Sequence, residues 1–324
     1  MTPAPTLSLR DLRVTFKTLL GEVQAVRGVS LDVAPGELLG VVGESGSGKS
    51  VSFLAIMGLL PKSAQITGSA TVAGTELIGA DVKTMRRVRG SDVAMIFQDP
   101  LSALNPVHRI GPQIVEMITS HQKVTKDEAR TRAIELLDLV GIPQPHDRFR
   151  QYAHEFSGGM RQRVMIAMAI ANDPKVLIAD EPTTALDVTV QAQILEVIER
   201  IRRDLGTAVV LITHDLGVIA RVADRVQVMY AGRAVERGAV EPLFAHPSHP
   251  YTQGLMASLP GLGHERLTPI PGAPPNMLAP PSGCAFRPRC VHATAGCAGD
   301  LPELRAFGAG ETACVRAEEL EAAQ

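Results

Sequence analysis

Hydrophobic and polar positions change rhythm several times along the chain. Leu7–Phe16 alternates apolar and polar residues, the period of a half-buried strand. Glu37–Val42, Val176–Asp180 and Ala208–Thr213 are short continuous apolar runs, which predict buried strands. The first runs into the glycine-rich stretch Gly43–Gly48 and the second ends in acid. Lys49–Leu60 predicts a helix stopped at Pro61, and Val188–Leu205 carries helical periodicity as far as Gly206. Strands alternating with helices predict an α/β fold with a mainly parallel sheet. Asp99–Glu155 breaks this pattern with helix-like segments at Gln113–Ser120 and Lys126–Val140. It predicts a helical subdomain, about 99–160, inserted between sheet elements.

Past Pro260 the composition shifts. Pro269, Pro271, Pro274, Pro275, Pro280 and Pro281 crowd one short stretch, which reads as a linker or an irregular wrapping segment. Four cysteines follow, Cys284, Cys290, Cys297 and Cys314, all within the last 41 residues. In a reducing compartment such a cluster reads as metal binding before disulfide. No apolar run reaches the ~18 residues that span a bilayer, and the first residues lack a charged-then-apolar leader, so a cytoplasmic chain is expected. The net charge of −2 and the scarcity of aromatics (eight Phe, three Tyr, no Trp) argue against a nucleic-acid partner. At 324 residues the chain is long enough for one large α/β domain plus an appendage, or for two modest domains.

The chemistry begins at Gly43-Glu44-Ser45-Gly46-Ser47-Gly48-Lys49-Ser50, which fits G-x-x-x-x-G-K-[ST] at every fixed position. Glycines let backbone N–H groups curl around phosphates, and the following helix presents its positive end to the same anion. Lys49 would reach the β- and γ-phosphates of ATP, and Ser50 would supply an oxygen for Mg²⁺. Asp180 and Glu181 end a second buried strand. There Asp180 would hold Mg²⁺ and Glu181 would polarise the attacking water. A solvated acidic turn is the plain alternative for such a pair. His214, after the strand Ala208–Thr213, would position water against the γ-phosphate, with an ordinary surface histidine as the alternative.

Phe156-Ser157-Gly158-Gly159-Met160 resembles the signature of the ABC ATPase family, in which leucine and glutamine usually stand where Phe156 and Met160 stand here. Phe97-Gln98 resembles the Q-loop, Thr184–Asp187 the D-loop, and His214 the switch histidine, all in family order. The resemblance covers about residues 5–260. It implies a P-loop ABC nucleotide-binding domain over 5–235 and a C-terminal extension over 236–324. Gln98 would then join Ser50 and Asp180 at Mg²⁺, and Asp187 would serve the D-loop. Ser157, Gly158 and Gly159 would grip the γ-phosphate of ATP bound to a partner chain, so two chains would complete each site. Phe16 stands where the family often stacks an aromatic on adenine; a strand phenylalanine in the core is the alternative.

The stretches Met95–Pro106, Asp180–Leu195 and Pro247–Pro260 resemble the oligopeptide, dipeptide and nickel permease subfamily, and most closely its D-type ATPase. That resemblance implies a paralogous F-type ATPase partner, two transmembrane permease subunits and an extracytoplasmic substrate-binding protein. The chain would work at the cytoplasmic face of the inner membrane, with Asp99–Pro106 against the permease. It also implies a [4Fe–4S] cluster on the four cysteines, whose C-x5-C-x6-C-x16-C spacing by itself leaves zinc and free thiols open. His249 and Tyr251 read as residues packing the extension onto the core. A soluble ABC ATPase, or an importer of nickel or another small solute, is the alternative function.

Overall fold

The computed structural model describes residues 4–184, 186–258 and 269–322. Its chain forms two compact units, each assembled from separate stretches.

The first unit comprises Met1–Leu7, Val33–Glu37 and Thr71–Leu211. Here the strand Val93–Ile96 pairs in parallel with Val176–Asp180, in a register that sets Ile96 opposite Ala179. Every residue of both strands is buried, as the apolar run predicts for Val176–Asp180, while Val93–Ile96 is a strand that sequence reasoning did not single out. The predicted helical insertion appears as Ile110–Thr119, Lys126–Leu139 and the short Pro145–Arg148. Lys126–Leu139 starts at a capping box, with the Thr125 and Glu128 side chains each bonded to the other's backbone N–H. Ile110, Ile114, Ile118, Ala133, Leu136 and Leu137 bury one face of these helices, which pack on each other and on Gly158–Ala169. The helix Val188–Leu205 has the bounds its periodicity predicts and ends at Gly206, in the left-handed region at φ 66°.

The second unit comprises Ser8–Asp32, Leu38–Ala70 and Ile212–Gln324. The strand Leu38–Val42, buried throughout, pairs in parallel with Arg225–Tyr230. Arg225–Tyr230 pairs antiparallel with Arg233–Ala239, which runs through the 235/236 boundary expected from the family resemblance. Leu7–Thr18 lies between Gly21–Val33 and Ala64–Val72 in another sheet. The helix after the glycine-rich loop is Lys49–Ile56, shorter than the predicted Lys49–Leu60, because Gly58 turns left-handed (φ 57°) before Pro61 is reached.

The C-terminal extension is less irregular than its prolines suggest. Its strand Gly310–Thr312 pairs antiparallel with Arg233–Ala239, and Arg305–Phe307 pairs in turn with Gly310–Thr312. The chain thus returns to the sheet after the proline-rich stretch and enlarges it.

Candidate functional site

The glycine-rich loop leaves the buried strand Leu38–Val42 and closes on the N-terminus of Lys49–Ile56. Gly43, Gly46 and Gly48 have φ values of 149°, 78° and 94°, which residues with a Cβ rarely adopt. At Gly43 a Cβ would collide with the Met229 carbonyl, and at Gly48 it would stand 2.5 Å from the Ala25 carbonyl. Gly43 and Gly48 are therefore fixed by close backbone neighbours as well as by conformation, and Gly46, with open space around it, by conformation alone. The Lys49 ammonium is buried and curls back onto its own loop, donating to the Gly43 carbonyl at 2.7 Å and the Glu44 carbonyl at 3.0 Å.

His214 belongs to the same unit. The Thr213 N–H donates to the Val41 carbonyl at 3.2 Å, so the chain carrying His214 emerges beside the strand that feeds the loop. His214 itself is exposed. The following helix Leu216–Val222 is capped by Asp215, whose carboxylate accepts from Gly217 and Val218. Phe16, on Leu7–Thr18, is half-buried in this unit too.

The first unit brings together a second set. Because Ile96 and Ala179 stand in register, Gln98 and Glu181 leave the same end of the parallel pair. The Gln98 amide donates to Glu181 Oε2 at 3.0 Å, and the Thr184 hydroxyl donates to the same oxygen at 2.8 Å. Two donors thus fix one carboxylate oxygen. Glu181 is also held at φ 47°, a strained conformation for a residue with a side chain. Asp180, the last residue of its strand, is buried.

In this unit Ser157 caps Gly158–Ala169, its hydroxyl accepting from the Met160 N–H at 3.4 Å. Gly158 is exposed, while a Cβ on Gly159 would approach Val190 to 2.7 Å, so the helix start needs glycine there to lie against Val188–Leu205. Phe156, which replaces the family's leucine, is buried under the Arg148 guanidinium. Asp187 acts as a helix cap, accepting from the Val190 N–H at 2.9 Å. Ala185, within the expected D-loop, lies outside the described residues.

In the segment Asp99–Pro106, Leu104 is buried while Leu101 is exposed. Asp99 caps the turn through the Leu101 N–H, and Gln113 ties Asn105 through both of its main-chain groups. Hydroxyl, amide and carboxylate oxygens at Ser50, Gln98 and Asp180 are the hard donors that Mg²⁺ takes.

The four cysteines, spread over a wide span of sequence, line one small cavity with His249 and His292. No disulfide joins them. Backbone bonding shapes the approach, with the Cys284 N–H donating to the Cys297 carbonyl at 2.9 Å. Burial, aided by the other thiols nearby, raises the pKa of Cys284 and Cys290 and lifts Cys314 to about 11. At neutral pH these three stay protonated unless a cation compensates. Among the described residues no group of three His, Cys, Asp or Glu side chains is arranged so as to hold a metal ion. His249 packs inside the extension, its ring 6.0 Å from Phe286, and it is Tyr251 that reaches the core, at Glu44. His249 is buried, caps Pro250–Ala257 by accepting from the Tyr251 N–H, and has its pKa lowered to about 4 by burial.

Sequence reasoning missed Arg289. This buried guanidinium forms a bidentate ion pair with Glu44 of the glycine-rich loop, at 2.6 and 3.0 Å. No short-range pattern marks a contact across 245 positions.

A family model described as ABC transporter matches residues 26–184, and one described as oligopeptide/dipeptide transporter, C-terminal region, matches residues 235–297. The oligopeptide transport ATP-binding protein OppD of Bacillus subtilis is 54% identical over 292 residues, covering 89% of this chain and 82% of that one. OppD of Salmonella typhimurium is 50% identical, covering 94% and 91%. The dipeptide transport ATP-binding protein DppD of Bacillus subtilis is 52% identical, covering 90% and 88%. Among solved structures, the dimeric, post-hydrolysis ATP-binding cassette MJ0796 bound to ADP and Pi aligns with a TM-score of 0.65 at 25% identity, covering 72% of this chain and 98% of that one.

Proposed function

From the fact that this chain belongs to the ABC transporter family, in its oligopeptide and dipeptide branch, we infer that it is the ATP-binding subunit of a peptide importer. It hydrolyses ATP to energise uptake, and membrane permease subunits and a substrate-binding protein supply the path and the peptide. It works from the cytoplasmic face of the membrane; no helix among the described residues is long and apolar enough to cross one.

In the mechanism we propose, the amides of Gly43–Ser50 and the positive end of Lys49–Ile56 take up the β- and γ-phosphates. Lys49 exchanges the Gly43 and Glu44 carbonyls for phosphate oxygens, a move of one flexible side chain. Ser50, Asp180 and the amide oxygen of Gln98 would hold Mg²⁺, which neutralises charge on the transferring phosphoryl group. Glu181 orients and polarises the attacking water, its carboxylate aimed by Gln98 and Thr184. His214 holds that water against the γ-phosphate, and Phe16 stacks on the base. Ser157, Gly158 and Gly159 complete the site of a partner chain head to tail, with Asp187 at the join. That partner is an F-type paralogue, and Asp99–Pro106 transmits the cycle to the permease.

In this reading the thiols of Cys284, Cys290, Cys297 and Cys314 would hold a [4Fe–4S] cluster, which would tie the extension together. Their convergence on one cavity without a disulfide supports it. Anaerobic purification with iron, sulfide and zinc analysis tests it: about four irons and four sulfides per chain are expected, and zinc or bare thiols would replace the assignment.

The observation that carries the hydrolytic reading is the pair of donors fixing the Glu181 carboxylate. Glu181→Gln should bind ATP and stall before hydrolysis, losing about 100-fold or more in turnover. Wild-type turnover in that variant would remove Glu181 as the water-polarising group.

A further inference from the structure

Glu44 is the first variable residue of the phosphate loop, and each of its polar groups is engaged. Its carbonyl accepts from Lys49, its N–H donates to the Tyr251 hydroxyl at 2.8 Å, and its carboxylate takes the fork of Arg289. Two of these three partners lie in the C-terminal extension.

The guanidinium is as fully occupied as its chemistry allows. Nε donates to the Pro271 carbonyl at 2.8 Å. Beyond the two Glu44 bonds, Nη1 reaches the Tyr230 hydroxyl and Nη2 the Ile270 carbonyl, each at 3.4 Å. All five N–H donors of the group therefore have acceptors. The group also lies over the Tyr230 and Phe286 rings, each at 5.9 Å. Tyr230, Tyr251 and Phe286 pack edge to face or tilted on one another, with centroids 4.5–5.3 Å apart. The Arg289 side chain is 5% exposed and the Glu44 side chain 26%, so the pair is shielded from salt and solvent on the arginine side.

Surface ion pairs position little, because long side chains wander. A bidentate pair with every donor satisfied and an aromatic wall beside it has one geometry. We propose that Arg289 is a positioning residue for nucleotide binding, holding the phosphate loop in its anion-accepting shape through Glu44 and thereby making the extension part of the ATP-binding machinery. Arg289 stands between Cys284 and Cys297, on the short segment that carries three of the four thiols. Whatever orders that segment then raises nucleotide affinity, and nucleotide binding must order the segment to the same degree.

This rests on the reading of Gly43–Ser50 as the nucleotide's phosphate loop, so the test carries a separate control. ATP affinity of the purified full chain would be measured by titration with a fluorescent ATP analogue, in the wild type, Lys49→Ala, Arg289→Ala, Arg289→Lys, Glu44→Gln and the Glu44→Gln/Arg289→Ala double variant. Arg289→Ala and Glu44→Gln should each weaken binding about tenfold, the scale of one charge-assisted pair. The double variant should be no weaker than the worse single one, and Arg289→Lys should recover part of the loss. Turnover at saturating ATP should change far less than affinity. Hydrogen exchange of the Cys284–Cys297 segment in the wild-type chain should slow when MgATP is added, a readout independent of whether any variant folds. Unchanged affinity in Arg289→Ala and Glu44→Gln, or exchange indifferent to MgATP, overturns the proposal while Lys49→Ala still loses binding. Unchanged affinity in Lys49→Ala overturns the phosphate-loop reading itself.

Discussion

The phosphate loop and the cysteine pocket are both small sites held by few residues, and they are built in opposite ways. The loop takes consecutive positions, Gly43 to Ser50, with its glycines at positive φ and two of them, Gly43 and Gly48, also crowded by the Met229 and Ala25 carbonyls. The pocket gathers Cys284, Cys290, Cys297 and Cys314 across turns and a returning strand. A site of the first kind is written in one run of sequence, even though neighbours such as Met229, Ala25 and Arg289 then clamp it. A site of the second kind requires the whole extension to be in place, so its stability is that of the contacts that anchor the extension.

The sharpest contrast comes from placing the same substitution in each region. Gly43→Ala puts a Cβ against the Met229 carbonyl at a φ of 149°. It should abolish ATPase activity, by about 100-fold or more, the equivalent of ~3 kcal/mol, as read in steady-state phosphate release. Turnover within twofold of wild type would mean that the loop is less local than described.

The extension should answer to acid where the loop does not. His249 is buried neutral, with its pKa moved from 6.5 down to about 4. The unfolded chain therefore takes up a proton near pH 6.5 that the folded one refuses until about pH 4. Folding stability is complete above pH 6.5 and falls as pH drops toward 4, by up to about 3 kcal/mol. Buried Glu236, whose pKa is raised by burial, opposes part of this, since its protonation as pH falls favours the fold. Denaturant unfolding between pH 7 and pH 4.5 should show the loss, and His249→Gln should flatten it.

Gly283→Ala is the counterpart of the loop substitution. Gly283 has a φ of 63° and a Cβ there would meet the Cys297 carbonyl. It should cost about 1–2 kcal/mol in unfolding of the extension, leaving turnover at saturating ATP near wild type. Tyr251→Phe should be milder, removing the acceptor of the Glu44 N–H for about 1 kcal/mol and a few-fold loss of ATP affinity. If Gly283→Ala proved as damaging to turnover as Gly43→Ala, the two regions would be one site.

What could be read from the sequence divides along the same line. Val176–Asp180 and Val188–Leu205 have the bounds that apolar run and helical period predict, because burial on one or both faces is written locally. Asp180, Glu181 and His214 stand at strand ends for the same reason. The strands Gly21–Val33, Arg225–Tyr230 and Arg233–Ala239 were not read, since their burial depends on neighbours distant in sequence. The three-residue strands of the extension are too short to show a period. Arg289 was missed because a single arginine in a proline-rich stretch carries no signal until its acceptor is known. Glu44 was identified as part of the loop motif, but nothing in the motif says what its side chain does.

The returning strand Gly310–Thr312 has a further consequence. Without it, the seven-residue strand Arg233–Ala239 would present a row of unpaired amides and carbonyls along one side. Such an open ladder is a template for another chain and a route to aggregation. With it, the outermost strand is Arg305–Phe307, three residues long, bearing an arginine and ending at a glycine turn, which offers an incoming chain very little to pair with. The Arg305–Thr312 hairpin thus covers an edge that would otherwise be open, and removing it should raise aggregation, read as light scattering, even where the nucleotide loop is intact.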